Sequence, residues 1–337
     1  MDISKVKPSF NANRQTLGHI YPLDTPFTVL LDIADVCNFK CHYCFRSGQP
    51  AESNIYGKNE LMSWETFTRA VDQLSEFPKQ VKQISLSHNG ESLCNKLLPK
   101  MLSYVHDAKL TGYTSIHTNA SLLTRQLIDE LAGSHLGRMV ISLEGLTSEQ
   151  YKKTCGIAVD FEKFVDNVTY LYKHKGSMTL NVKIIETALG NKTREEFFEL
   201  FAPIADRVFV EQEVPLWSEL NSGDADYPNK YGNKYKFQHV CPLVFNSLVV
   251  IASGDIYPCT HISPPLKGAS VYKATLRNYW NSPERKNFLI EMLKNGRENI
   301  STCKQCYIPQ NSIYTEEDIV DGFQDEILTR IYGKVEI

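Results

Sequence analysis

Six apolar, β-branched segments alternate with amphipathic ones between residues 28 and 210, and this rhythm restricts the fold more than any other feature of the chain. Residues 28–33 (TVLLDI), 81–87, 112–118, 138–143, 178–185 and 207–210 read as strands. Helices fit between them. One begins at Ser63 and carries an apolar face of Phe67, Val71 and Leu74; others are expected over 96–108, 124–131 with Thr124 as cap, 161–172 and 194–201. Strands alternating with helices make a parallel α/β sheet. Six units in about 190 residues fall short of the ~250 of a closed eight-fold barrel, which predicts a partial (β/α)6 barrel of the TIM type, open on one side. A doubly wound sheet fits the same periodicity.

Outside this core the rhythm changes. Residues 1–27 are polar, carry Pro8, Pro22 and Pro26, and read as an N-terminal extension to a barrel spanning 28–213. Residues 214–240 are polar and aromatic and read as a linker, in which Trp217 is placed to cover a substrate or simply to pack. Beyond it, 245–252 and 256–257 flank Ser253-Gly254-Asp255, a hairpin signal, and 282–293 reads as a helix with Ser282 as cap and Pro283 in its first turn. These belong to a small unit over 241–310, followed by a terminal stretch, 311–337, with an amphipathic helix over 315–331.

Composition narrows the function classes. A net charge of −3 lacks the basic footprint of a nucleic-acid binder. No apolar run is long enough to span a membrane, and the charged start does not read as a secretory signal, so a cytoplasmic location is expected. In that reducing setting the nine cysteines are not expected to form disulfides.

Seven of the nine fall into metal-binding patterns. Cys37, Cys41 and Cys44 stand just after the first strand, and three thiolates on one short loop can hold three irons of a four-iron cluster while leaving the fourth open. Zinc, with His42 as fourth ligand, is the other reading. Cys303 and Cys306 form a knuckle, and Cys241 and Cys259 bracket the hairpin; these four suit either a closed cluster or a structural zinc.

CxxxCxxC followed by an aromatic after a first strand resembles the signature of the radical S-adenosylmethionine (SAM) superfamily. Further segments match in order. Ser87-His88-Asn89-Gly90-Glu91-Ser92 resembles the GGEP-type motif, with Asn89 for the first glycine and Ser92 for proline. Thr118-Asn119 resembles TNG, with Ala120 for glycine, and Ser142-Leu143-Glu144-Gly145 resembles SIDG. The resemblance implies that Gly90 and Glu91 receive the SAM ammonium, that Asn119 lies near the ribose, that Ser142 and Glu144 line the SAM site, and that the backbone of Tyr43 meets the adenine. The C-terminal cysteines resemble a twitch domain, a shortened SPASM domain of the kind found in anaerobic sulfatase-maturating enzymes, with spacing similar to 2-deoxy-scyllo-inosamine dehydrogenases. That implies a second, auxiliary 4Fe-4S cluster on Cys241, Cys259, Cys303 and Cys306, and an electron donor of the flavodoxin or ferredoxin type.

The chemistry so implied is reductive cleavage of SAM to a 5′-deoxyadenosyl radical that abstracts hydrogen. A fully ligated auxiliary cluster suits electron transfer, which predicts dehydrogenation of a sugar, aminocyclitol or glycan-precursor alcohol. Such a reaction needs a base at the barrel mouth, and Glu186, Glu211, Glu213, His88 and His117 are the candidates. Epimerisation would instead need a hydrogen-donating thiol, for which Cys94 and Cys155 remain. Peptide modification stays open, although no leader-binding winged helix is evident. The remaining alternative is a non-catalytic, metal-stabilised binding module.

Overall fold

The six expected strands exist, each paired in parallel with its chain neighbours: β1 (Thr28–Leu31), β2 (Val81–Ser85), β3 (Thr111–Thr118), β4 (Arg138–Leu143), β5 (Thr179–Ile185) and β6 (Arg207–Glu211). A computed structural model describes residues 3–8, 14–47, 58–215 and 228–333; Trp217 lies outside them. Alternation explains the curvature. Outward-facing Ile84, Ile116, Met139, Ile141, Leu180, Val182 and Val208 are buried beneath the crossover helices. Inward positions carry Gln83, Tyr113, His117, Arg138, Lys183 and Glu211, which line a cavity on the concave face. This polar inner face selects the partial barrel over the doubly wound sheet, whose two faces would both be covered by helices. Local signals act as expected: Ser63, Thr124 and Ser282 each cap a helix through a side-chain oxygen.

Three expectations need correction. The hairpin is not a separate sheet: β7 (Ser247–Val250) pairs in parallel with β1, and β8 (Asp255–Tyr257) and β9 (Ala269–Ser270) extend the same nine-stranded sheet. Its first strand starts late because Leu243–Asn246, following Pro242, forms a helical turn. The terminal helix covers only Gln324–Gly333, since Gly322 takes a left-handed φ of 93° and interrupts the chain before it. A helix over Ser148–Cys155, capped by Thr147 and ended by left-handed Gly156, adds an element beyond those expected.

The N-terminal extension is part of the core. Val6 bridges Val208 in parallel, and Leu17 and Tyr21 pack with Val244, Leu289, Ile327 and Ile331 in a second apolar cluster beneath the barrel. Among the described residues no helix is long and apolar enough to cross a membrane.

Candidate active site

The three-cysteine loop is built from backbone outward. Its amides at Lys40 and His42 donate to the carbonyls of Cys155 and Thr154, at 3.1 and 3.0 Å. These carbonyls end the Ser148–Cys155 helix and lack partners within it, so the helix terminus clamps the loop. Arg46 fixes the far side by an ion pair to Asp35 at 2.6 Å. Cys37, Cys41 and Cys44 are half-buried on this frame. Burial pushes the Cys37 thiol up to about 11, and Cys41 and Cys44 rise for the same reason. Three desolvated thiols beside the carboxylates of Glu91 and Glu144 form a donor set that suits a cationic cluster. His42 turns Nδ1 toward the Thr154 carbonyl at 3.2 Å, so the ring is engaged on the helix that clamps the loop.

The motif loops lock onto this frame. A Cβ on Gly90 would sit 1.8 Å from the Ala34 carbonyl oxygen, so only glycine allows the second-strand loop to dock there. Glu91, 2 % exposed, accepts from the Leu93 amide (3.0 Å), the Thr118 hydroxyl (2.6 Å) and the Asn119 amide (2.7 Å). Two carboxylate oxygens offer about four acceptor sites, so three are used in joining β2 to β3. Glu91 thus has a positioning role that the sequence did not reveal. Ser92 donates to the Leu86 carbonyl at 2.8 Å, a bond that proline could not make. Asn119 reaches Asn38 of the cysteine loop at 2.9 Å, while Ala120 takes the left-handed φ of 59° usually given to glycine. The hydroxyl of Tyr43 donates to buried Glu144, and Ser142 faces inward beside Lys183. Glu91→Gln turns one acceptor into a donor facing an amide, which is expected to cost ~1–3 kcal/mol in urea unfolding. An unchanged stability would show that the tie does not matter.

Asp32 was missed. It directly follows β1, is 1 % exposed, and neither carboxylate oxygen has a hydrogen-bond partner; the Asn89 side-chain amide nitrogen has none either. Burial first, and Asp35 second, raise its pKa to about 7; the nearby Asn89 and Ala34 amides offset this only in part, since they do not reach hydrogen-bond geometry. A lone aspartate in an apolar strand was the available signal. Below the ordinary carboxylate value Asp32 is protonated in both folded and unfolded chains. As pH rises toward about 7 the unfolded chain loses that proton first, so stability falls across this window and then levels. Asp32→Asn is therefore expected to out-stabilise the cluster-free wild type by ~1–2 kcal/mol near pH 8 and to match it near pH 4. Parallel urea curves at both pH values would contradict this.

The candidate bases separate. His117, Lys183 and Glu211 line the barrel cavity of about 490 Å³. The His117 ring is open to that cavity; desolvation by the protein packed around it, and then the cations Lys183, Arg138 and Lys230, lower its pKa to about 3. Glu211 pairs with Lys183 at 2.6 Å and stays ionised through Lys183 and Lys230 despite its burial. Glu186 is instead an exposed partner of Arg194, and Glu213 an exposed acceptor for Thr187. Neither lines the cavity. His88 rests against the Thr260 carbonyl at 3.4 Å, beside Cys259. Cys155 is buried with its thiol donating to the Tyr151 carbonyl at 3.0 Å, and Cys94 packs beneath the motif loop; neither reaches the cavity.

The four C-terminal cysteines converge. Cys241, Cys259, Cys303 and Cys306 line one small cavity with Arg297 beneath it. Burial, then mutual repulsion, raises the Cys303 and Cys306 thiols. Four thiols around one small cavity are a donor set that fits an iron–sulfur cluster.

Comparison with known proteins agrees with this geometry. A family model described as the radical SAM superfamily matches residues 31–202, and one described as an iron–sulfur cluster-binding domain, SPASM, matches 241–307. The chain is 25% identical over 259 residues to a tungsten-containing aldehyde ferredoxin oxidoreductase cofactor-modifying protein of Pyrococcus furiosus, covering 68% of this chain and 69% of that one. It is 35% identical over 123 residues to a probable GTP 3′,8-cyclase of Methanococcus maripaludis, spanning 36% of this chain and 38% of the relative. Among solved structures, BtrN in complex with AdoMet and 2-DOIA gives a TM-score of 0.58 at 17% identity, covering 87% of this chain and 97% of that one. SuiB of Streptococcus suis bound to precursor peptide SuiA gives 0.61 at 16%, covering 89% and 76%. Native anSMEcpe with bound AdoMet gives 0.60 at 16%, covering 92% and 98%. These structural likenesses establish a common fold.

Proposed function

The chain belongs to the radical SAM superfamily, and from that premise we propose that it dehydrogenates a small hydroxylated molecule, of the sugar or glycan-precursor kind, held in the barrel cavity. It is a SAM-dependent enzyme with an iron–sulfur SPASM domain. In the proposed assignment Cys37, Cys41 and Cys44 hold the SAM-binding cluster, and Cys241, Cys259, Cys303 and Cys306 hold the auxiliary one. When bound, these groups and SAM supply one-electron chemistry: a 5′-deoxyadenosyl radical to take a hydrogen atom and a site for the second electron.

The protein's own residues do the rest. The buried carboxylate of Asp32 and the side-chain amide nitrogen of half-buried Asn89, both without hydrogen-bond partners, offer an acceptor and a donor beside the Gly90 loop and suit the ammonium and carboxylate of SAM. Glu91 and Asn119 keep that loop and the end of β3 in place. His117, neutral at physiological pH, can accept a hydrogen bond from a substrate hydroxyl, with its Nδ1 3.4 Å from the Ser87 hydroxyl and the ionised Glu211 carboxylate beside it in the cavity.

The observation that carries the reading is the cavity itself. It holds a neutral imidazole and an ionised carboxylate near the strand C-termini, and no cysteine lines it. That favours loss of a proton over return of a hydrogen atom from a thiol, and so dehydrogenation over epimerisation. A SuiB-like peptide modification remains the second reading, since a precursor peptide is named with that structure. The test is an anaerobic assay on reconstituted, chemically reduced protein. Dehydrogenation predicts one 5′-deoxyadenosine for each product lighter by two hydrogens. No 5′-deoxyadenosine under any condition would sink the radical reading, and an isomer of unchanged mass would sink dehydrogenation.

A further inference from the structure

The barrel cavity is strongly and asymmetrically charged. Six cations line it: Arg138 from β4, Lys183 from β5, Arg207 from β6, Lys230 from the segment after the linker, and Lys7 and Arg14 from the N-terminal segment. Among the described residues two carboxylates, Glu211 and Asp318, share the wall. Each already pairs with one of the cations, Glu211 with Lys183 at 2.6 Å and Asp318 with Arg14. Among the described residues the wall thus carries six cations against two carboxylates, in a chain whose net charge is −3. A cleft lined by one sign and walled by protein concentrates its field rather than dissipating it into solvent. Desolvation first, and then Lys183, Arg138 and Lys230, hold the proton affinity of His117 down, with Glu211 acting in the opposite sense.

The cations are mounted rather than trailing. Arg138 donates to the Tyr113 hydroxyl at 3.0 Å and lies over that ring at 5.0 Å; the same hydroxyl donates to Gln83 at 2.8 Å. Lys230 stands 4.9 Å over the ring of Tyr231. Amide side chains of Gln83 and Asn181 lie among them, suited to hydroxyl groups.

We propose that the substrate is an anion, a hydroxylated molecule bearing phosphate or carboxylate, bound with its charge toward Arg138 and Lys230 and its reacting carbon toward the strand C-termini. This rests on the dehydrogenase reading for the location of the substrate, and refines it: a cationic aminocyclitol would meet like charge on the wall. Phosphate and carboxylate share the recognising chemistry, guanidinium and ammonium against oxyanion.

Calorimetric titration of the reconstituted, SAM-loaded protein tests this with glucose 6-phosphate, glucuronate, glucose and glucosamine. At least one of the two anions is expected to bind ~10-fold or more tighter than glucose, with glucosamine weakest, and the advantage to shrink between low and high salt. Binding by glucose 6-phosphate alone would identify phosphate as the group; binding by both would identify a general anion site. Lys230→Gln is expected to lower the preferred anion's affinity ~10-fold, with Arg138→Gln as an independent second variant. An anion bound no better than glucose or glucosamine, or no binding by any probe, would overturn the proposal. SAM cleavage measured on the same samples separates the two readings: 5′-deoxyadenosine without anion binding removes only the charged-substrate inference, and anion binding without cleavage removes only the radical chemistry.

Discussion

Cys41→Ala is expected to lower 5′-deoxyadenosine formation at least ~10³-fold, a loss of about 4 kcal/mol or more in transition-state terms. Iron should fall by about four atoms per chain, leaving about four at the C-terminal site. A cluster held by three thiolates with one open iron has no spare ligand, so the middle cysteine cannot be lost without losing the site. The fold should survive. Cys41 lies between Lys40 and His42, whose amides hold the loop to the Ser148–Cys155 helix by backbone bonds that do not involve the thiol. Cys94→Ala is the comparison variant: the Cys94 thiol stands near Cys37 and Glu91 but lies outside the three-cysteine motif, so the variant is expected to keep its iron. Circular dichroism and metal analysis on both variants check the prediction. Retained SAM cleavage and iron in Cys41→Ala would refute the assignment of this loop.

The expectation is sharper than a motif match because geometry separates ligand from scaffold. Had the thiols carried the loop's hydrogen bonds, loss of activity would have had two explanations. Cys37 accepts weakly from the Phe39 amide at 3.4 Å, and Cys44 interacts with the Arg46 backbone, whereas the Cys41 thiol faces the side chains of Tyr43 and Glu144 and not the backbone of its own loop. Cys41 is therefore the better position to replace.

Periodicity located all six barrel strands, because one face had to be apolar against helices and the other could be polar toward the cavity. The cysteine loop and the β2, β3 and β4 end motifs were legible for a different reason: their spacings are local. What stayed hidden depends on long-range pairing. Glu186 and Glu213 looked like candidate bases because both follow strand ends, yet Arg194 and Thr187 draw them to the surface. The Ser148–Cys155 helix was unreadable because its apolar face is short, with only Tyr151, Thr154 and Cys155 buried. The β7 pairing with β1 joins residues more than two hundred apart and leaves no local mark. Asp32 was visible as a charged residue in an apolar strand, but its lack of partners could be known only once Asn89 and Ala34 were placed around it.

Arg297 belongs to that hidden class, and its replacement is expected to have the largest effect on stability. The side chain is 1 % exposed. Its Nε donates to the Gln238 carbonyl at 2.5 Å, and its Nη1 to the carbonyls of Cys303 and Cys306 at 2.8 and 2.5 Å. The backbone leading into Cys241 is thereby tied to the knuckle of the last two cysteines, so one guanidinium joins both halves of the four-cysteine site. Burial lowers its pKa, and the cysteines around it act in the opposite sense. Arg297→Met fills similar volume but leaves three buried carbonyls without these donors, at an expected cost of ~3–5 kcal/mol in urea unfolding. Arg297→Lys keeps the charge but cannot fork to three carbonyls, so it should fall between the two. Iron at the C-terminal site should drop in the same order, while the three-cysteine loop, held by its own clamp, keeps its complement. Equal stability and equal iron in wild type and Arg297→Met would show that the knuckle is positioned by packing around Cys303 and Cys241, and that the buried cation is incidental to it.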